Sequence, residues 1–225
     1  MAAGWTTTQR ALRKIGGWSL LIGSVQFVAL MAVEELLIPG FSPLTNTISD
    51  LGSDRITSYD WMFNGSVIAI GLFTLLGVGG VHAVLRRSER SPVGAYLLAL
   101  SGIGAIGVGL FPETHPGPYH TIFAFLAFAM ANTALIVLGG SFSGDREWGS
   151  YALYSGGSGI VGWVALLLSA IGRYGPLDQG GMERLIVAPV LLWAIIVGAR
   201  MARPAPRPPP AVWPGPAPPE GPESG

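Results

Sequence analysis

Six stretches of this chain are long and apolar enough to cross the hydrocarbon core of a bilayer, which takes about 20 helical residues. They fall near residues 15–38, 62–85, 93–111, 121–140, 151–171 and 185–201, the fifth weakened by the small and polar run 155–162. Lipid offers no partner for a bare N–H or C=O, so segments of this length must satisfy their backbone internally, as helices. The expected fold is therefore all-α: a polytopic membrane protein built as a six-transmembrane-helix bundle. Composition agrees, since only 12% of the 225 residues are charged, against about 25% in an ordinary soluble domain.

Basic residues set the expected orientation. Taking alternate connections, one side carries Arg10, Arg13, Lys14, Arg86, Arg87, Arg90, Arg146, Arg200, Arg203 and Arg207, and the other only Arg55, Arg173 and Arg184. This asymmetry places both termini in the cytoplasm of a multi-pass plasma-membrane protein. Glu34, Glu35, Asp50, Asp54, Asp60, Glu113, Asp178 and Glu183 all fall on the outer side. The first apolar run follows a basic segment but is too long for a signal peptide and has no A-x-A-like site before Glu34, so it reads as a retained helix.

The chain thus divides into a cytoplasmic N-terminus (1–14), a membrane domain (15–201) and a tail (202–225). From Pro204 onward the tail has ten prolines in 22 residues, which suits a disordered extension of polyproline character. Such a tail is either inert or a docking strip for a proline-binding partner. A net charge of zero gives no case for nucleic-acid binding. The absence of cysteine excludes disulfides, thiolate metal sites and cysteine nucleophiles. The Gly-, Ala-, Pro- and Arg-rich composition suits a high-GC prokaryote.

Inside a membrane, helices associate by close approach at small residues. Ser101, Ala105 and Gly109 recur every four residues in the third span, and Ser155/Gly159 and Ser158/Gly162 do so in the fifth. These seams form either the centre of the bundle or a homo-oligomer face. Gln26 and Asn132 read as interhelical hydrogen-bonding amides. Pro189 should kink the last span or sit within its first turns.

Polar residues gather in two connections on the outer side. The segment 39–60 reads PGFSPLTNTISDLGSDRITSYD; Pro43 enforces extension before it, and Asn46, Ser49 and Asp50 are cap and turn formers. On a helical reading Asn46, Ser49, Asp50 and Ser53 share one face. The segment 111–120, FPETHPGPYH, holds Glu113, His115 and His120 at the same level, where Asn64 opens the second span. Asp50, Glu113 and His120 are the candidates for base, metal ligand or acid. Asn46, Ser49, Ser53, Asn64 and His115 are the candidates for orienting a substrate. Such a group suits a divalent metal or acid–base chemistry on a lipid headgroup; the bland alternative is that it caps a short helix. Haem is disfavoured, because His82 lies at the other end of its span and only His115 and His120 share a depth. No phosphate-cradling Gly-rich motif, G-x-S-x-G elbow or array of intramembrane charges is present.

The run Pro43-Leu44-Thr45-Asn46-Thr47-Ile48-Ser49-Asp50-Leu51-Gly52, followed by Phe63-Asn64-Gly65 and by Gly109-Leu110-Phe111-Pro112-Glu113 with His120 downstream, resembles the prokaryotic membrane family catalogued as domain of unknown function 998. The resemblance covers roughly residues 15–200. The ISDLG segment alone is also similar to an element of the Frag1/DRAM/Sfk1 membrane proteins, some of which are linked to lipid remodelling or distribution. The resemblance implies the fold and membrane placement but no activity. Two roles stand open: action on, or binding of, lipid headgroups at the outer face, and a non-enzymatic scaffold or assembly subunit. A small transporter is a third, opposed by the apolar middles of the spans.

Overall fold

The computed structural model describes residues 6–85, 91–145 and 147–204. Six helices make the bundle: α1 (Thr7–Leu37), α2 (Asp60–Val84), α3 (Ser91–Leu110), α4 (Tyr119–Phe142), α5 (Ala152–Ala170) and α6 (Asp178–Ala202). Among the described residues there is no strand. Each helix packs on the next and α6 returns against α1, which closes the ring. All six are long and apolar enough to cross a membrane, so the chain is a multi-pass integral membrane protein. The tail from 205 onward, and with it the expected disorder, lies outside the described residues, as do Arg86, Arg87, Arg90, Arg146 and Arg207.

Helices run past the sequence reading at the start of α1 and at both ends of α6. Residues 7–14, assigned above to an N-terminal extension, form the first turns of α1. Thr6 caps them, its hydroxyl accepting from the Gln9 N–H while the Gln9 side chain accepts from Thr6 N–H. That reciprocal cap lets the helix start before its apolar run does. The last helix begins at Asp178 rather than 185, so Glu183 and Arg184 are helical and Pro189 lies in the helix interior. At its other end Ala202, read as the first residue of the tail, still belongs to α6.

Small residues set the helix spacing, as the seams suggested. A Cβ on Gly16 would meet the backbone of Gly77 and Gly80, and one on Gly17 the backbone of Gly198 and Ala202; α1 therefore packs directly on α2 and α6. Gly109 faces the Asn64 carbonyl, while Gly159 and Gly162 face the backbone and amide of Asn132. The seams thus serve contacts within the chain. Both lone amides cross helices: Gln26 Nε2 donates to the Ser66 carbonyl at 3.0 Å, and Asn132 Nδ2 to the Ile186 carbonyl at 3.4 Å.

The apolar interior has two main parts. One, around Leu20, Val81, Leu135, Phe142, Trp148 and Trp193, fills the end of the bundle near the α4–α5 connection. The other, around Phe27, Ile48, Leu51, Phe63 and Leu191, underlies the opposite end, where the chain segment 38–59 folds across the helices.

Candidate functional site

Segment 38–59 is an ordered cover, not a free loop. The expected helical face over Asn46, Ser49, Asp50 and Ser53 shrinks to a single 3-10 helix, Ser49–Gly52, entered through a tight turn. In that turn Asn46 Oδ1 accepts from the Ser42 N–H at 3.1 Å and its Nδ2 donates to Asp50 at 3.1 Å. Thr47 and Asp50 bond reciprocally, Asp50 accepting from the Thr47 N–H at 2.9 Å and the Thr47 hydroxyl from the Asp50 N–H at 3.1 Å. This is the capping-box arrangement, and it occupies the Asp50 carboxylate with its own backbone.

Three helices hold the cover down. From α6, the Arg184 guanidinium donates to the carbonyls of Pro43 (2.8 Å) and Asn46 (2.9 Å) and pairs with Glu35 at the end of α1. The Gly181 N–H donates to the Leu44 carbonyl at 3.0 Å, and a Cβ on Gly180 would land on the Asn46 carbonyl. From α2, Asn64 Nδ2 donates to the Gly52 carbonyl at 3.2 Å. Ser53 is buried beneath, its carbonyl accepting from Ile56 and Thr57.

The third anchor brings chemistry together. Ser49 Oγ lies 3.1 Å from His120 Nε2 on α4 and 3.2 Å from Glu183 Oε1 on α6. The other oxygen of Glu183 accepts from the Ile48 N–H. His120 Nδ1 lies 3.0 Å from the Phe111 carbonyl. A carbonyl only accepts, so Nδ1 carries the hydrogen, and in the neutral ring Nε2 presents its lone pair to Ser49. The hydroxyl of Ser49 has one proton and two acceptors within reach.

Below this trio is a cavity of about 120 Å³ walled by α1, α2, α3, α4 and α6. Ser49 and Glu183 lie in its wall together with Phe27, Phe63, Val108, Phe128 and Leu191, and the lining is overwhelmingly apolar. An apolar lining holds water poorly and suits hydrocarbon.

Of the expected site residues, the structure joins Ser49 and His120 and keeps Asn46, Asp50, Ser53 and Asn64 close by as the scaffold of the cover. Glu113 is exposed and makes no hydrogen bond or ion pair among the described residues. His115 is exposed, bonds the Pro116 carbonyl and stacks edge-on against Phe111 and Tyr119. Among the described residues no hydrogen bond joins Asp50, Glu113 and His120 to one another. Among the described residues no group of three or more His, Asp and Glu side chains could hold a metal ion. The residue that sequence reasoning missed is Glu183, whose place inside a helix beside Arg184 was hidden by the late start assigned to that span. Glu34 is also turned inward; it is fully buried, and neither carboxylate oxygen has a partner among the described residues.

Residues 21–200 match the family described as "Protein of unknown function (DUF998)". Neither a curated protein nor a solved structure matches the chain.

Proposed function

For this chain, which belongs to that family of unknown function, we propose a site for a membrane lipid at the outer face, with both termini in the cytoplasm of the plasma membrane. The polar head sits at Ser49, His120 and Glu183, and the hydrocarbon chain enters the apolar cavity beneath them. One observation carries this reading: a hydroxyl shared between a carboxylate and an imidazole lies in the wall of a cavity fit for hydrocarbon. A bilayer supplies such a guest in excess, and the ten-to-three distribution of basic residues supports an outward orientation of this end.

A lipid analogue with a photoactivatable group in its alkyl chain tests the site in detergent-purified protein. Cross-links should map to the cavity wall, at residues such as Ala105, Ala127 and Val187. They should disappear in Ala105→Phe, which fills the space, while thermal unfolding shows the variant still folded. Cross-links confined to the outer, lipid-facing surfaces of the helices would sink the reading.

The cover itself supports a second role. The Thr47–Asp50 pair, the Arg184 contacts and the absence of any side chain at Gly180 all fasten segment 38–59 to the bundle. On that reading the protein is a scaffold, and substitution at Asp50 or Arg184 lowers folded yield without altering any bound lipid.

A further inference from the structure

The lipid site says where an amphiphile would sit; the Ser49–His120 geometry says what could happen to it. We propose that Ser49 is a nucleophile and His120 its general base, and that the substrate class is a lipid ester whose acyl chain occupies the cavity. This rests on the lipid-site reading.

The arrangement has the two features that activation of a serine needs. The hydroxyl lies within hydrogen-bond reach of the base, at 3.1 Å. The base is held by a third group, the Phe111 carbonyl, which fixes the hydrogen on Nδ1 and leaves Nε2 to accept. Ser49 lies in the cavity wall, so an acyl chain below it would bring the ester carbonyl alongside Oγ. Glu183 does not fill the orienting place that the carboxylate takes in a Ser-His-Asp triad, because it touches the serine rather than the imidazole. By fixing the Ile48 N–H it holds the turn that carries Ser49, which makes it a positioning residue.

The steps balance with water as the only co-reactant. Ser49 Oγ bonds to the ester carbonyl carbon as its proton passes to His120 Nε2. The ester C–O bond then breaks, and the departing alcohol takes that proton, leaving an acyl group on Ser49. A water from the outer face repeats the sequence: its oxygen bonds to the acyl carbon, His120 takes and returns a proton, and the products are a fatty acid and the free hydroxyl.

A second serine–histidine pair in the same chain serves as an internal contrast. Ser91 Oγ is 3.4 Å from His82 Nδ1 at the opposite end of the bundle. Ser91 is fully buried and does not line the cavity. It has the residue types, but its hydroxyl is buried and lies away from that cavity.

The experiment is to treat the full-length protein, in detergent, with a long-chain alkyl fluorophosphonate. Attack by Ser49 forms an O–P bond and expels fluoride. We expect one adduct per chain by intact mass, mapped to Ser49 and absent from Ser91. It should vanish in Ser49→Ala, and in His120→Gln it should form about a hundredfold more slowly, in the range general-base catalysis contributes, with thermal unfolding unchanged. Peptide mapping of the wild type decides the matter even where Ser49→Ala fails to fold. No adduct on folded wild type, or an adduct that survives Ser49→Ala, overturns the proposal. Cavity cross-linking without an adduct removes the nucleophile and leaves the lipid site standing. An adduct without cavity cross-linking overturns the lipid ester as substrate, and loss of both removes both readings.

Discussion

Each end of the bundle is closed by a polar network, and the two are built differently. At the Trp148 end the network is ionic. Glu147 pairs with Arg13 at 2.8 Å and with Arg200 at 3.1 Å, and both guanidinium groups lie over the Trp148 ring, 5.8 and 5.7 Å from its centroid. Asp145 accepts from the backbone N–H groups of Glu147 and Trp148 at 2.8 and 3.1 Å, which fixes the turn that carries both residues. Arginine does not lose its proton, so the hydrogens in the Arg13–Glu147–Arg200 contacts stay on the guanidinium groups. At the Ser49 end the members are a hydroxyl, an imidazole and a carboxylate, whose shared protons can be placed in more than one way, and an apolar cavity lies beneath them. The first network ties α1 and α6 to the α4–α5 connection; the second holds a cover over a space. A polar cluster in a membrane protein is therefore better judged by whether its protons can move, and whether it borders a cavity, than by its charge.

The largest effect should come from breaking the ionic end. Glu147→Gln preserves shape but removes the carboxylate that Arg13 and Arg200 share. Removing one partner of a buried pair forfeits the attraction while the other charge stays desolvated. With Arg13 only 1% exposed, we expect a loss of about 3 kcal/mol, read by denaturation in mixed micelles. Lipid cross-linking at the far end should persist in the fraction that remains folded. A stability change below about 1 kcal/mol, the range of a surface pair, would mean the ionic closure is no lock.

A smaller loss should follow from prising up the cover. In Gly180→Ala the new methyl would land on the Asn46 carbonyl, a backbone atom that cannot swing aside. Overpacking of this kind costs about 2 kcal/mol. Because the same movement drags Ser49 away from His120, fluorophosphonate labelling should fall with it. Unchanged labelling would show that the cover tolerates displacement and that its fit on α6 does not position the serine.

This contrast between the ends was only half legible in the sequence. The helices were visible because apolar runs of about 20 residues have one solution in lipid. Their ends were less so, because the turns at 7–14 and 178–184 are polar and read as connections. At the site, Ser49 and His120 stood out by residue type and by lying in short proline-bounded segments. Their pairing did not, since it joins positions 71 residues apart. Asp50 and Glu113 seemed equally reactive, yet one carboxylate is spent on the Thr47 N–H and the other faces open space. Glu34 and Glu35 show the same limit. They are neighbours of identical chemistry, but one turn step sends Glu35 to Arg184 and Glu34 into the core. Composition does not encode which way a side chain faces when both residues lie at a helix end.

The smallest expected stability change is also the sharpest comparison, because it applies the same exchange to the other network. Glu183→Gln keeps an oxygen to accept from the Ile48 N–H and gains an amide hydrogen for Ser49 Oγ. The lost strength is that of a bond to a charged group replaced by one to a neutral group, about 1 kcal/mol. With a donor now occupying the Glu183 side of the hydroxyl, the Ser49 proton has only His120 Nε2 to turn to. Labelling by the fluorophosphonate should therefore hold or rise while stability barely moves. If labelling instead collapses in a folded Glu183→Gln protein, the carboxylate's charge is required, and Ser49 bridges an ion pair between Glu183 and a protonated His120. The Ser49 end would then be a second ionic closure, of the same kind as the Arg13–Glu147–Arg200 network rather than its counterpart.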